Sequence, residues 1–405
     1  MRWDEWVHDK KSFVSGVLAG MALLVLFNTA FHGFKLVFDR MANKPMAFSV
    51  KVNELLNVLD AHSINPYKKE DLLENMYRGL VSGVGDPYTY YFDKKALADF
   101  MQQTEGSYAG IGVVVTSDPK DHLVTVVTAY EGSPGAAAGL MPGDKFMKID
   151  GLDVSSASLE EVTAMTKGPV GTTVKITIYR GSEKRTFDVE VIRRKIDIPT
   201  VTSKMLADQI GYLRISAFDR VTLDQFKTAY QSLSDQKMRG LIVDLRNNPG
   251  GLLDVVTKIA DILVPQGTIV YTEDKSGKKE YTYSDENGIP VPLALLVNGA
   301  SASASEVLSG AVKDLNVGVL VGTKTFGKGI VQNLYTLSDG SAIKVTVSKY
   351  YTPSGVCIQG DGIIPDYVVE MSDELTAKIS SLSEEEDIQL EKAEEIIEQL
   401  IKEQT

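Results

Sequence analysis

Residues 293–335 constrain this chain more than any other stretch, through two short pieces. The first begins with an uninterrupted apolar run, residues 293–297, which reads as a buried strand. It continues as Asn298-Gly299-Ala300-Ser301-Ala302-Ser303-Ala304-Ser305-Glu306. Residues 306–314 then place Val307, Leu308, Ala311 and Val312 on one side at helical spacing. Three serines therefore stand where a strand turns into a helix. A hydroxyl at such a turn projects from the sheet, close to backbone N–H groups and the positive end of a helix dipole. Negative charge developing on an oxygen is stabilised there. Ser303-x-x-Glu306 also fits a capping box, in which the serine simply starts the helix. The two roles are compatible, because a nucleophile can occupy the cap position.

The second piece is Gly327-Lys328-Gly329-Ile330-Val331-Gln332. A nucleophilic serine needs a neighbour that takes its proton. The histidines are His8, His32, His62 and His122, so a Ser-His-Asp triad confined to the later half is excluded. A lysine serves instead where burial keeps its amine neutral. Lys328, between two glycines at the start of an apolar run, is the candidate. A rival reading exists for the same residues. Gly322 to Lys328 fits the phosphate-loop pattern G-x-x-x-x-G-K after an apolar strand at 317–321. Gly329 stands where Ser or Thr should bind magnesium, and the pattern that follows is a strand rather than a helix. It runs through Asp339-Gly340, a hairpin turn, into a second strand at 342–347.

Together, Ser-Ala-Ser-Ala-Ser-Glu and Gly-Lys-Gly-Ile-Val-Gln resemble the carboxyl-terminal processing proteases, tail-specific serine peptidases. The resemblance implies Ser303 as nucleophile, Lys328 as general base and Gln332 as the residue that orients the lysine. It also implies an oxyanion-hole N–H at Gly250, with the second donor at Ser303 or Ala304. Gly250 lies in Arg246-Asn247-Asn248-Pro249-Gly250-Gly251, between a buried strand at 241–245 and a helix at 252–263. Small residues in such a turn let backbone N–H groups approach a ligand.

The chain has 405 residues, enough for two or three domains, and a hydrophobic share of 43% that supports a sizeable core. A net charge of −12 argues against nucleic acid as a partner. The single Cys357 excludes an internal disulfide and a cysteine-rich metal site. No cofactor is expected. Residues 12–34 contain no Asp, Glu, Lys or Arg and are long enough to span a bilayer. An uncleaved anchor fits better than a signal peptide, because the run is long and Asn28-Thr29-Ala30-Phe31 is a poor cleavage site. Flanking charges do not set the orientation. The resemblance implies residues 1–11 inside the cell and the catalytic part outside the cytoplasm, on the cell membrane.

Residues 35–105 read as a helical region broken at Gly85-Asp86-Pro87-Tyr88-Thr89-Tyr90-Tyr91, whose tyrosines read as packing against a neighbouring domain, with a binding surface as the alternative. Residues 106–195 change to strands at 111–116, 123–128, 174–179 and 186–192, with short helices at 133–140 and 159–167. With Gly110-Ile111-Gly112-Val113 and Ala137-Ala138-Gly139-Leu140-x-Pro142-Gly143-Asp144, this resembles a PDZ domain. Such a domain captures a free carboxyl terminus on loop N–H groups, here at Gly110, Ile111 and Gly112, and adds the peptide as a strand. Lys167 stands where family members often carry an arginine that couples peptide capture to catalysis; a lysine lacks that bidentate fork. Residues 196–380 alternate strands and helices as a protease core. The tail, 381–405, is acidic, with a stripe of Leu390, Ala393, Ile397, Leu400 and Ile401 on one helix. That stripe leaves two readings open, docking on its own domain or pairing two subunits in a homodimer. The expected architecture is multidomain α/β: an anchor, a helical region, a PDZ domain, an α/β Ser-Lys protease core and a C-terminal amphipathic helix. The expected function is a membrane-anchored serine endopeptidase acting on proteins recognised by their C-termini. The alternative is a catalytically silent PDZ adaptor at the membrane.

Overall fold

The computed structural model describes residues 45–285 and 288–403. The apolar stretch at 12–34 and the segment before it lie outside the described residues. Among the described residues, no helix is long and apolar enough to cross a membrane.

The chain divides into two compact units, with the boundary between Met76 and Tyr77. The first holds α1 (Pro45–His62) and the start of α2 (Lys69–Ser82). Val50, Leu55 and Leu59 of α1 are exposed. In the second unit the helical pattern breaks at Asp86, whose carboxylate accepts the Tyr88 N–H at 3.0 Å and the Thr89 hydroxyl at 2.6 Å. This side-chain turn competes with helix and feeds β1 (Tyr90–Phe92). Asp93 then caps α3 (Lys94–Glu105), accepting the Ala96 N–H at 2.8 Å.

The next region follows in chain order as β2 (Ser107–Gly110), β3 (Val113–Ser117), β4 (Val124–Ala129), α4 (Pro134–Ala137), β5 (Asp144–Ile149), β6 (Leu152–Asp153), α5 (Leu159–Thr166), β7 (Thr173–Arg180), β8 (Arg185–Ile192) and β9 (Arg194–Asp197). Strands β3-β4-β5-β7-β8 form an antiparallel sheet with β6 on β5, over a core of Phe146, Ile149, Val162, Val174, Ile176 and Ile178. β2 pairs with β9, so the entry and exit of this region meet. β5 is the strand that the pattern hides. A bulge between Phe146 and Lys148 breaks its alternation, and Asp144, the last residue of the Pro142-Gly143-Asp144 run, is its buried first residue. There Asp144 receives Arg180 bidentately, at 2.7 and 2.8 Å.

The last region runs β10 (Val201–Met205), β11 (Ile210–Ile215), α6 (Thr222–Asp235), β12 (Gly240–Asp244), α7 (Leu253–Leu263), β13 (Gly267–Asp274), β14 (Lys279–Ser284), β15 (Leu293–Val297), α8 (Ala304–Asp314), β16 (Val319–Gly322), β17 (Ile330–Thr336), β18 (Ala342–Tyr351), β19 (Tyr367–Val368), α9 (Asp373–Ala377) and α10 (Ile388–Glu403). One sheet has the order β10-β11-β12-β15-β16-β19, parallel except for the edge strand β10. Its alternate residues face two different cores. Leu241, Val243, Leu293 and Leu295 meet α6, α7 and α8, while Ile242, Ala294 and Leu296 meet α10. Burial on both faces is why β12 and β15 are continuous apolar runs. The stripe of α10 is therefore spent at home. Leu390, Ala393, Ile397 and Ile401 are buried against their own sheet, and this removes the basis for a homodimer built on them. A Cβ on Gly240 would lie 2.2 Å from Ile397, so the helix sits directly on the strand. The second sheet, β1-β18-β13-β14 with β17 on β18, is antiparallel. Residues 323–329 lead into β17, so no helix follows the G-x-x-x-x-G-K pattern and the phosphate-loop reading fails.

Candidate active site

Ligands of open α/β sheets bind outside the carboxyl ends of the parallel strands. The chain leaves β12 and β15 there in two adjacent loops, and asparagines join them. Asn298 Oδ1 accepts the Asn247 N–H at 3.0 Å, and its amide donates to Asn247 Oδ1 at 2.8 Å. The Asn248 carbonyl accepts the Ala302 N–H at 3.0 Å and the Ser305 hydroxyl at 2.9 Å. Beneath them Arg246, buried, binds Asp244 and Asp387 bidentately. The distances are 3.0 and 2.7 Å to Asp244, and 2.7 Å for both bonds to Asp387.

The three serines now separate. Ser301 is buried; its hydroxyl donates to the Leu245 carbonyl at 2.8 Å and accepts the Asn298 N–H at 2.9 Å. Ser305 is buried and bound to Asn248. Ser303 is half-buried and stands alone as accessible between 301 and 312. Its backbone is strained, at φ 55° and ψ −113°, a conformation that a side chain rarely adopts outside functional turns. Glu306 accepts the Ser303 N–H at 2.9 Å, while the Glu306 N–H goes to the Ser303 carbonyl at 2.8 Å. Ser303 and Glu306 thus form a capping box, in which the Ser303 side chain also faces the Glu306 N–H. Buried Tyr350 donates its hydroxyl to the same carbonyl at 3.0 Å, and burial raises its pKa well above the ordinary value, which keeps it a donor.

Glu306 also ties the serine to the second piece. Its carboxylate accepts the Thr325 hydroxyl at 2.6 Å, the Gly327 N–H at 2.7 Å and the Lys328 N–H at 2.9 Å. Ser303, Ala304, Lys328 and Gln332 consequently line one cavity of about 300 Å³. The Lys328 amine is half-buried. Burial lowers its pKa below 10.5, and the nearby Lys344 adds to this, against opposing pulls from Asp86 and Glu306. Lys328 Nζ lies 4.8 Å from the centre of the Tyr88 ring. The Gln332 amide nitrogen donates to the Tyr88 carbonyl. Tyr88 thus meets both the lysine and the glutamine, a role that the break at 85–91 did not disclose. Asp86 fixes this turn. Burial works against its charge, but the nearby Thr346 hydroxyl, the hydrogen bonds from the Thr89 hydroxyl and the Tyr88 N–H, and the Lys328 charge hold its pKa below the usual value.

Gly250 packs on the nucleophile turn; a Cβ there would lie 2.8 Å from Ser303 Cβ and 2.9 Å from the Ala304 nitrogen. Its φ of 103° suits glycine alone. Its N–H, however, donates to Asn248 Oδ1 at 2.9 Å, whereas Gly251 is the glycine that faces the cavity. Ala304 opens α8, in the first turn whose N–H groups lack partners inside the helix.

Gly110, Ile111 and Gly112 join β2 to β3. The Ile111 carbonyl accepts the Gly135 N–H at 2.7 Å, and the Gly112 carbonyl accepts the Tyr130 N–H at 2.9 Å. The Tyr108 ring lies on Gly110, where a Cβ would come within 2.8 Å of it. Burial is the largest influence on the Tyr108 hydroxyl and takes its pKa up to about 12; a hydrogen bond with the Gly112 backbone opposes this. Lys167 Nζ lies over that ring, 5.4 Å from its centre. Arg193, unmarked in the sequence, closes the end of α5 by donating to the Thr166 and Met165 carbonyls at 3.0 and 2.9 Å. Among the described residues there is no cluster of side chains that could hold a metal ion.

Comparison with known proteins identifies two domains and several relatives. The sequence profile of the PDZ domain matches residues 107–191, and that of peptidase family S41 matches residues 209–369. The chain is 35% identical over 308 residues to the carboxy-terminal-processing protease of Bartonella bacilliformis, covering 74% of this chain and 70% of that protein. It is 36% identical over 296 residues to the carboxyl-terminal-processing protease of Synechocystis sp., covering 72% and 69%. A Staphylococcus aureus protein named "Probable CtpA-like serine protease" is 32% identical over 384 residues, 93% of this chain and 75% of that one. Among solved structures, the photosystem II D1 C-terminal processing protease is 32% identical, with 78% of this chain and 86% of that one covered and a TM-score of 0.47.

Proposed function

We propose, from the premise that this chain belongs to peptidase family S41 and its carboxyl-terminal-processing proteases, that it is a membrane-anchored serine endopeptidase working through a Ser303–Lys328 dyad. On this reading residues 106–195 capture the carboxyl terminus of a protein substrate, residues 196–380 cleave it and α10 braces the core. Ser303 Oγ attacks the scissile carbonyl while neutral Lys328 takes its proton. The N–H of Ala304 and the glycine loop stabilise the oxyanion, and Gly250 serves once its N–H leaves Asn248. Collapse releases the amine, protonated by Lys328, and leaves an acyl group on Ser303. Water, deprotonated by Lys328, then attacks the acyl carbon; the acid leaves and Ser303 recovers its proton. Gln332 positions Lys328. Lys167, on the Tyr108 ring, is the regulatory link from the capture loop. The stretch at 12–34 anchors the chain, with residues 1–11 inside the cell and the catalytic part outside the cytoplasm.

The observation that carries this reading is the state of Ser303. Of three serines at the turn, it alone is accessible, whereas Ser301 and Ser305 are buried and give their hydroxyls to backbone carbonyls, and it shares a cavity with a desolvated lysine. The test is cleavage of an unstructured protein with a free carboxyl end by the full chain in detergent, beside Ser303→Ala and Lys328→Ala. Loss in both folded variants supports the dyad, and an amidated substrate then tests carboxylate capture. Equal cleavage by parent and variants rejects these residues. A parent that binds carboxyl-ended peptides without cutting any is the PDZ adaptor instead.

A further inference from the structure

The active-site cavity holds a second lysine that the motifs leave out. Lys344 stands on β18 between β1 and β17, directly across from Tyr90 on one side and Leu334 on the other. It is half-buried and lines the same cavity as Ser303 and Lys328. No described carboxylate forms an ion pair with it. Its amine instead lies 5.6 Å from the centre of the Phe92 ring and 5.2 Å from that of Phe100. An apolar side chain of similar length would fill this place against two phenylalanines at lower cost, because burying an unpaired charge is unfavourable. Two unpaired ammonium groups in one cavity repel each other, and the repulsion is relieved when one of them is neutral.

The surroundings indicate which one loses its proton. Lys328 is faced by Asp86 from the turn before β1, by Glu306 from α8 and by Lys344 from β18, with the Tyr88 ring beneath. Asp219 lines the cavity too, and burial raises its pKa. The two acids that would hold Lys328 charged are engaged elsewhere. Glu306 accepts four donors of the chain, and Asp86 accepts the Tyr88 N–H and the Thr89 hydroxyl. Burial lowers the pKa of Lys344 as well, but its amine rests on two ring faces, which favour an ammonium, against one for Lys328.

We propose that Lys344 is a positioning residue of an electrostatic kind, the fixed positive charge that keeps the Lys328 amine neutral and able to accept the Ser303 proton. This rests on the dyad reading and specifies how its base is prepared.

The experiment reads the lysines themselves. The full chain in detergent is labelled with trace acetic anhydride across a pH series, and acetylation of Lys328 and Lys344 is followed by peptide mass spectrometry, since only neutral amines react. Lys344→Met should move the half-labelling pH of Lys328 up by roughly one unit. Lys344→Arg, which keeps the charge, should leave it within a few tenths of a unit. The acid limb of kcat/KM should follow the same shifts, so Lys344→Met loses about tenfold below the midpoint and recovers at higher pH. An unmoved Lys328 midpoint in folded Lys344→Met overturns the proposal, as does an equal shift in Lys344→Arg. A cleavage loss that is uniform across pH also overturns it and leaves Lys344 a packing role. Failure of the dyad looks different: Lys328→Ala would keep cleaving, whatever the labelling shows.

Discussion

The two ends of the candidate dyad are held in opposite ways. Ser303 sits in a closed set of directional bonds, from its N–H to Glu306, from Tyr350 to its carbonyl, and through neighbouring Ala302 and Ser305 to Asn248. The amine of Lys328 meets a ring face, a like charge and two preoccupied carboxylates. Only its backbone is bonded firmly, to Glu306. The difference separates two requirements of nucleophilic catalysis. The attacking oxygen must be in one place, which hydrogen bonds secure. The base must be in one protonation state and then change it, which dielectric and nearby charge control.

Substitutions on the two sides should therefore fail differently. The largest effect is expected for Ser303→Ala, with a loss of roughly 10⁴-fold or more in kcat/KM and an unchanged denaturation midpoint. Steady-state cleavage beside circular dichroism checks it. Next is Asp387→Ala, which leaves the Arg246 guanidinium buried with one carboxylate fewer; it should cost about 3–5 kcal/mol in urea unfolding. Glu306→Gln replaces an acceptor of four donors by an amide that must set N–H against N–H. About 2–3 kcal/mol of stability should go. Cleavage should fall roughly 10²-fold because the turn shifts. The acid limb of kcat/KM should also move slightly down, because a carboxylate that favours the Lys328 ammonium is lost. The smallest effect is the most diagnostic. Tyr88→Leu removes a ring that favours the ammonium, so the acid limb of kcat/KM should move down by about half a pH unit. Tyr88→Phe should leave it in place. The sign is opposite to that expected for Lys344→Met: losing the ring makes Lys328 neutral at lower pH, and losing the like charge makes it neutral only at higher pH.

The strand–turn–helix frame was legible because it is a local pattern, while Ser303 and Lys328 were singled out among their neighbours by a resemblance carried on two short motifs. An apolar run, a cap and a glycine turn each fall within a few neighbouring positions. What was not legible came from a distance in the chain. Tyr88 reaches Gln332 across 244 positions, and no periodicity near residue 88 marks it. Glu306 was visible as a cap, but the loop donors it also collects come from 325–328. Lys344 reads as one more charge on a hairpin strand until β1 and α3 bring Phe92 and Phe100 beside it. β5 was hidden by a bulge, since a pattern of period two is lost when the register slips. The stripe on the last helix was read correctly as apolar; which surface it covers depends on the alternate face of β12 and β15, and runs buried on both faces do not show which residue points where.

The Arg246 clamp has a consequence for the order of assembly. The loop that carries Asn247 to Gly251 follows an arginine whose second carboxylate, Asp387, is made 141 positions later. Until that later segment is synthesised and docks, the guanidinium lacks half its partners and the strand beneath the glycine loop has one face bare. The PDZ region precedes the clamp in the chain and shares none of its bonds. A chain still on the ribosome would thus complete its PDZ region before the glycine loop after β12 is braced.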